Sequence, residues 1–224
     1  LKTIGLSASS VFSGKDLHQL LEQSRKITPY DVDAAYERSI KGIYSSIIAF
    51  ISQASFTWEM HQSGSLYWLR EASRHIVESI KDTKHLQKNL LKMGFSSNNF
   101  VKEEYESIRY QIADLLRQLE SFRLQVEADD MDMALLSFDL VKVKIKEQDQ
   151  QMNQRIDGLI RENKITPEAG TSLINDSGYM YEIKRHLVAM AETVFIIQQD
   201  KTSEGQHELV LDDNELVEVV ESES

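Results

Sequence analysis

Six residues between Glu71 and Asn89 are spaced so that they could act together. Glu71, His75, Glu78, Asp82, His85 and Asn89 follow one another at steps of four, three, four, three and four. On an α-helix, residues so spaced stack on one face. Each could accept a hydrogen bond or a metal ion, and none is apolar. Carboxylates and imidazoles aligned in this way form either a solvated face paired with Arg74, Lys81 and Lys84, or part of a metal site with oxygen and nitrogen donors. Glu78 and Asp82, one turn apart, would then be the first ligands, helped by His75 or His85. Asp176 stands out for the opposite reason. Leu173, Met180, Ile183, Leu187, Met190, Val194 and Ile197 make an apolar helical seam, and its rhythm between Leu173 and Met180 falls on Asp176. A buried carboxylate costs roughly several kcal/mol unless it is paired or ligated. Asp176 is therefore a fifth candidate ligand, or the acceptor of a hydrogen bond from a Ser, Tyr or Asn on a facing helix. The hydrogen bond is the preferred alternative.

Other chemistries find little support. The chain has no cysteine, which excludes disulfides, thiolate zinc sites, iron–sulfur clusters and cysteine nucleophiles. Di-iron carboxylate enzymes need a Glu-x-x-His motif on each of two helices. Glu71 with His75, and Glu182 with His186, are four apart, and only Asp82 with His85 has the three-residue step. The glycines are scattered, with no phosphate-cradling loop and no G-x-S-x-G elbow. His18, His61, His186 and His207 show no ligand spacing with one another. These features point to a protein that is not an enzyme. The formal charge is -11, and residues 201–224 hold eight acidic residues against one lysine. The rest of the chain is only mildly acidic, so nucleic acid is not an expected partner.

The elements that must position these residues are helices. Two prolines and nine glycines in 224 residues are too few for the turns of a sheet protein. Lys15 to Ile27 predicts a short helix, ended by Thr28-Pro29. Tyr30 to Ala54 predicts a second, with Tyr36, Ile40, Ile43, Ile47, Ile51 and Ala54 inward. Ser63-Gly64 reads as a loop, and a third helix follows from Ser65 to Met93, with Ile76, Ile80, Thr83 and Leu90 as its apolar side. Phe56, Trp58, Tyr67 and Trp68 cluster about that loop and either cap the bundle end, the preferred reading, or form a partner or membrane-interface surface. The fourth helix has the cleanest pattern: Val101, Tyr105, Ile108, Ile112, Leu115, Leu119, Phe122 and Val126 alternate steps of four and three without a fault. Asp129-Asp130 separates it from a fifth, Met131 to Glu162, and Pro167 opens a sixth that runs to Gln199. No apolar run reaches the roughly 18–20 residues that span a bilayer. The opening on Leu1 instead of Met suggests a piece of a longer protein.

Helices three and six each carry an aspartate near the middle, Asp82 and Asp176, 94 residues apart. This is the spacing of a duplicated three-helix unit. The stretch IVESIKDTKHLQKNL, residues 76–90, resembles the PhoU-like domain of sodium/phosphate cotransporter family proteins, and LINDSGYMYEIKRHL, residues 173–187, resembles the last helix of such domains. The E-x-x-x-D motif of PhoU proteins is matched by Glu78-Ser-Ile-Lys-Asp82. The second copy, Ser172-Leu-Ile-Asn-Asp176, keeps the aspartate and replaces the glutamate with serine.

The resemblance implies an all-α, six-helix fold of two three-helix bundle repeats. Its parts would be a lead-in over 1–14, repeats over 15–94 and 95–199, and an acidic tail over 200–224. It implies a non-catalytic role in phosphate transport or its control, on the cytoplasmic side of the membrane. The implied partner is the membrane transport domain of the same polypeptide, or a second copy in a homodimer. Some members bind iron or zinc through such motifs, so a metal sensor using Glu78, Asp82, His75, His85 and Asp176 is the alternative reading, with the second cluster weakened by Ser172; a free-standing helical adaptor is a further alternative.

Overall fold

The structure is a computed structural model that describes residues 1–24, 29–54, 63–94, 96–128 and 131–200. Among the described residues every regular element is helical, and no helix is long and apolar enough to cross a membrane. A 3-10 turn (Lys2–Ile4) precedes α1 (Ala8–Val11) and α2 (Leu17–Gln23). α3 (Val32–Tyr36) runs through a π-helical segment (Glu37–Lys41) into α4 (Gly42–Ala54). Four long helices follow: α5 (Ser63–Met93), α6 (Asn99–Glu127), α7 (Met131–Arg161) and α8 (Pro167–Asp200). Phe56, Trp58, His61, the Asp129-Asp130 break and the acidic tail lie outside the described residues.

α8 is the central rod. It packs along α5, and α7 and α6 pack against it. Such a helix must bury more than one stripe. α8 accordingly buries Leu173, Met180, Ile183, Val188, Ala191 and Phe195 together with the polar Asp176, Ser177, Lys184, His186 and Thr193. The α6 seam is buried as its period predicts, with Leu119 and Val126 half-exposed. Its start is capped by Asn98, whose Oδ1 accepts from the Phe100 and Val101 amides and whose Nδ2 donates to the Lys164 carbonyl. That last bond ties α6 to the turn between α7 and α8. In this turn Asn163 takes a left-handed conformation (φ 53), the usual way a helix closes its last carbonyls. At Gly170 a Cβ would lie 2.4 Å from the Ile160 side chain, so the missing side chain there leaves room for Ile160 where α7 and α8 approach.

Three sequence expectations change. On α5 the core side is Ala72, Val77, Leu86 and Leu90; Ile76, Ile80 and Thr83 are only half-buried. Ser63-Gly64 forms the first turn of α5 instead of a loop. The seam expected along 36–54 is broken by the π-helical segment. A π-turn holds one residue more than an α-turn, which rotates all later side chains by about 100°. Ile43 therefore turns outward, 63% exposed, while Ile51 packs on Leu66.

Residues 1–14, expected as a lead-in, supply Ile4, Leu6 and Val11 to the main core cluster. Two arginines of α6 hold this segment. Arg109 donates to the Ile4 carbonyl at 2.9 Å and to the Ser24 hydroxyl at 2.6 Å, and Arg117 donates to the carbonyls of Val11 and Lys15. The fixed fork of a guanidinium suits paired acceptors of this kind. As a result α2 packs on α6, while α3 and α4 pack on α5.

Candidate functional site

The polar face of α5 lies against α8. His75 meets His186, His85 meets Tyr179 and Asn89 meets Asp176. Positions rise along α5 as they fall along α8, so the two helices are antiparallel. The stripe read from the sequence as a solvated face or a metal site is the polar edge of the main helix–helix contact.

At one end of this edge the carboxylate is dry. Asp176 is 0% exposed. Its Oδ2 accepts from the Tyr105 hydroxyl at 2.6 Å and its Oδ1 from the Asn89 amide at 3.2 Å. Three helices thus close on one carboxylate, with the Tyr and Asn donors among those the sequence anticipated. Burial pushes its pKa above the usual carboxylate range, against the opposing effect of the two hydrogen bonds. The same burial and the adjoining carboxylate raise the Tyr105 phenol strongly. One residue on, Ser177 donates to Asp149 of α7 at 3.3 Å.

At the other end the groups are half wet. His75 Nδ1 lies 2.9 Å from His186 Nδ1, so one ring must donate and the other accept. Burial lowers both imidazoles first. Next in size, His75 is lowered by His186 and His186 by Arg185. Glu182 lies 3.7 Å from His186 Nε2. Asp82 is half-buried beside this pair; burial raises its pKa and His186 opposes. Glu78 is held by Lys81 at 2.7 Å, the solvated pairing weighed from the sequence. His85 is exposed and stacks on Tyr179, rings 5.1 Å apart and 13° from parallel.

The five candidate ligands are therefore not brought to one point. Among the described residues no three His, Asp or Glu side chains are grouped to hold a metal ion. Both oxygens of Asp176 already accept hydrogen bonds, and Glu78 faces a lysine. Iron or zinc would need three or four donors converging at about 2.0–2.3 Å.

Sequence reasoning missed two features here. His186, 111 positions from His75, has no local spacing that could announce the pair. Lys184 is the other. It is 1% exposed and donates to the side-chain carbonyls of Gln111 at 2.8 Å and Gln148 at 2.9 Å, joining α6, α7 and α8. Burial, only partly offset by Asp149, pushes its ammonium down to about 8. Lys184 stands at a helical step of four from Met180, on the face that also carries Leu173, and that was the available signal.

The chain matches no protein-family model, no curated protein and no solved structure with which it was compared.

Proposed function

We propose that the chain is a non-catalytic regulatory domain. It presents its long helices to the membrane transport domain of a sodium-dependent phosphate carrier, on the cytoplasmic side, and contributes to phosphate transport or its control. The observation that supports this is where the proposed repeats would meet. Two copies of one unit packed about a two-fold axis bring a residue onto its own equivalent only at that axis. Tyr179 follows His85 by 94 residues, the same offset that relates Asp176 to Asp82, and these two rings stack. Asp82 and Asp176 each stand three positions before that contact, as a duplication of the E-x-x-x-D helix would set them. The polar groups between them are spent on one another across the helix pair, which suits a scaffold better than a reaction centre.

The test is sodium-dependent uptake of radiolabelled phosphate by cells expressing the full coding unit, with and without residues 15–199. A changed uptake is the expected result. Unchanged uptake, or a coding unit that encodes no transport domain, overturns the proposal. Stoichiometric iron or zinc in protein purified without a histidine tag, lost in a Glu78→Ala/Asp82→Ala variant, would replace it with a metal-dependent sensor.

A further inference from the structure

Beside α5, along Ser79, Ile80, Thr83 and Leu86, lies a cleft of about 380 Å³. It is walled by the N-terminal segment, α3 with its π-helical end, α5, and the inner faces of α6 and α8. Ile4, Val32, Ile80, Leu86, Ile112 and Ile183 give it its apolar surface, and none of its described lining residues carries a charged side chain. The volume falls in the roughly 300–1,000 Å³ range of small-molecule sites. Two hydroxyls in the wall have their protons engaged: Ser79 donates to the Ile76 carbonyl at 2.8 Å and Thr83 to the Ser79 carbonyl at 2.7 Å. What these two offer a guest is oxygen acceptors.

The cover is lightly held. On α3 only Val32 is buried. The rim is tied by a surface ion pair, Lys84 to Asp33 at 2.7 Å, and by the Lys2 ammonium 5.0 Å over the Tyr30 ring. Exposed pairs of this kind contribute little, so these two contacts add little hold on α3. The π-helical segment, a feature frequent at functional sites, brings Ser39 and Ile40 to the same cleft.

We propose that this cleft binds a neutral, mainly aliphatic small molecule with at most one hydroxyl donor, a long-chain alcohol being the type. Among the described lining residues only Leu1, through its α-amino group, could bring a charge, and burial lowers its pKa below the ordinary value; at pH 8 a carboxylate or ammonium would then be buried there without a charged partner, which is strongly unfavourable. The proposal is independent of the transporter assignment.

The full chain is titrated with neutral, fluorescent phenylnaphthylamine at pH 8. A saturable rise at one site per chain is expected. Decanol should displace the probe, and decanoate should do so at least about tenfold more weakly. Ala35→Trp fills the cleft from α3 and should weaken probe binding at least about tenfold, while Ala49→Trp on the exposed side of α4 leaves it unchanged. Should Ala35→Trp fail a thermal melt, Ser39→Trp supplies the same readout. The proposal is overturned by absence of saturable binding, by equal displacement with decanoate, or by normal binding in the folded tryptophan variants. Binding that sediments only with a dimer also overturns it, since a second copy would then be making the site.

Discussion

Asp82 and Asp176 stand on the same helix pair, each three residues before its partner in the His85–Tyr179 stack, yet their surroundings differ. Asp176 is closed in by three helices because α6 delivers Tyr105 to it, and Ser177 beside it reaches α7. Asp82 has the histidine pair and Glu182 across the seam and keeps contact with water. Burial raises both carboxyls; hydrogen-bond donors oppose it in one case and an imidazole in the other. The lesson is that the third helix, more than the local motif, decides whether a polar residue becomes a fixed joint or a surface group.

The largest test concerns the helix that makes this difference. Leu115 is 2% exposed at the centre of the α6 seam, and Leu115→Ala should lower stability in a urea melt by about 2–5 kcal/mol. A loss below about 0.5 kcal/mol would show that α6 is not seated where the comparison needs it. Asp176→Ala comes next, at about 2–3 kcal/mol, because it strips the Tyr105 hydroxyl and the Asn89 amide of their acceptor inside the bundle. Asp176→Asn keeps an acceptor and should lose clearly less; equal losses would mean the hydrogen bonds do not hold the dry end.

The wet end should declare itself through pH. His75 and His186 both have depressed folded pKa values, so the unfolded chain takes up protons first. Their contribution is present above about pH 6.5 and is lost as the pH falls through the folded values. Urea midpoints should therefore decline from pH 7 to pH 5, and His186→Gln should flatten that slope. An unaltered slope would rule out the pair as its origin. Asp82 and Asp176, with raised values, act in the opposite sense, so the comparison with His186→Gln, which keeps both carboxyls, isolates the histidine share. The smallest effect is expected from Asp82→Ala, below about 0.5 kcal/mol, as for a half-solvated charge. A loss matching that of Asp176→Ala would erase the contrast.

The α6 seam could be read from sequence because one face of that helix meets the core and its repeat never falters. α8 was harder: it is covered on several sides, so its core positions leave the simple period and include Lys184 and Ser177. The N-terminal segment looked like a lead-in because its apolar residues are few and its anchors, Arg109 and Arg117, bind backbone carbonyls, which leave no trace in residue types. The π-helical turn after Tyr36 likewise has no pattern of its own, and it alone overturned the seam expected at Ile43. The aspartate positions were legible; which of them would be sealed depended on Tyr105, 71 residues away.

Lys184 has a further use. With its ammonium near 8, about half of the folded molecules at that pH carry a free amine that would react with acylating reagents. The protein shields it until α6, α7 and α8 separate. Exposed lysines should be labelled at once and Lys184 only as fast as the bundle breathes. Mass spectrometry of that single site over time would then serve as a clock for how often the interior opens.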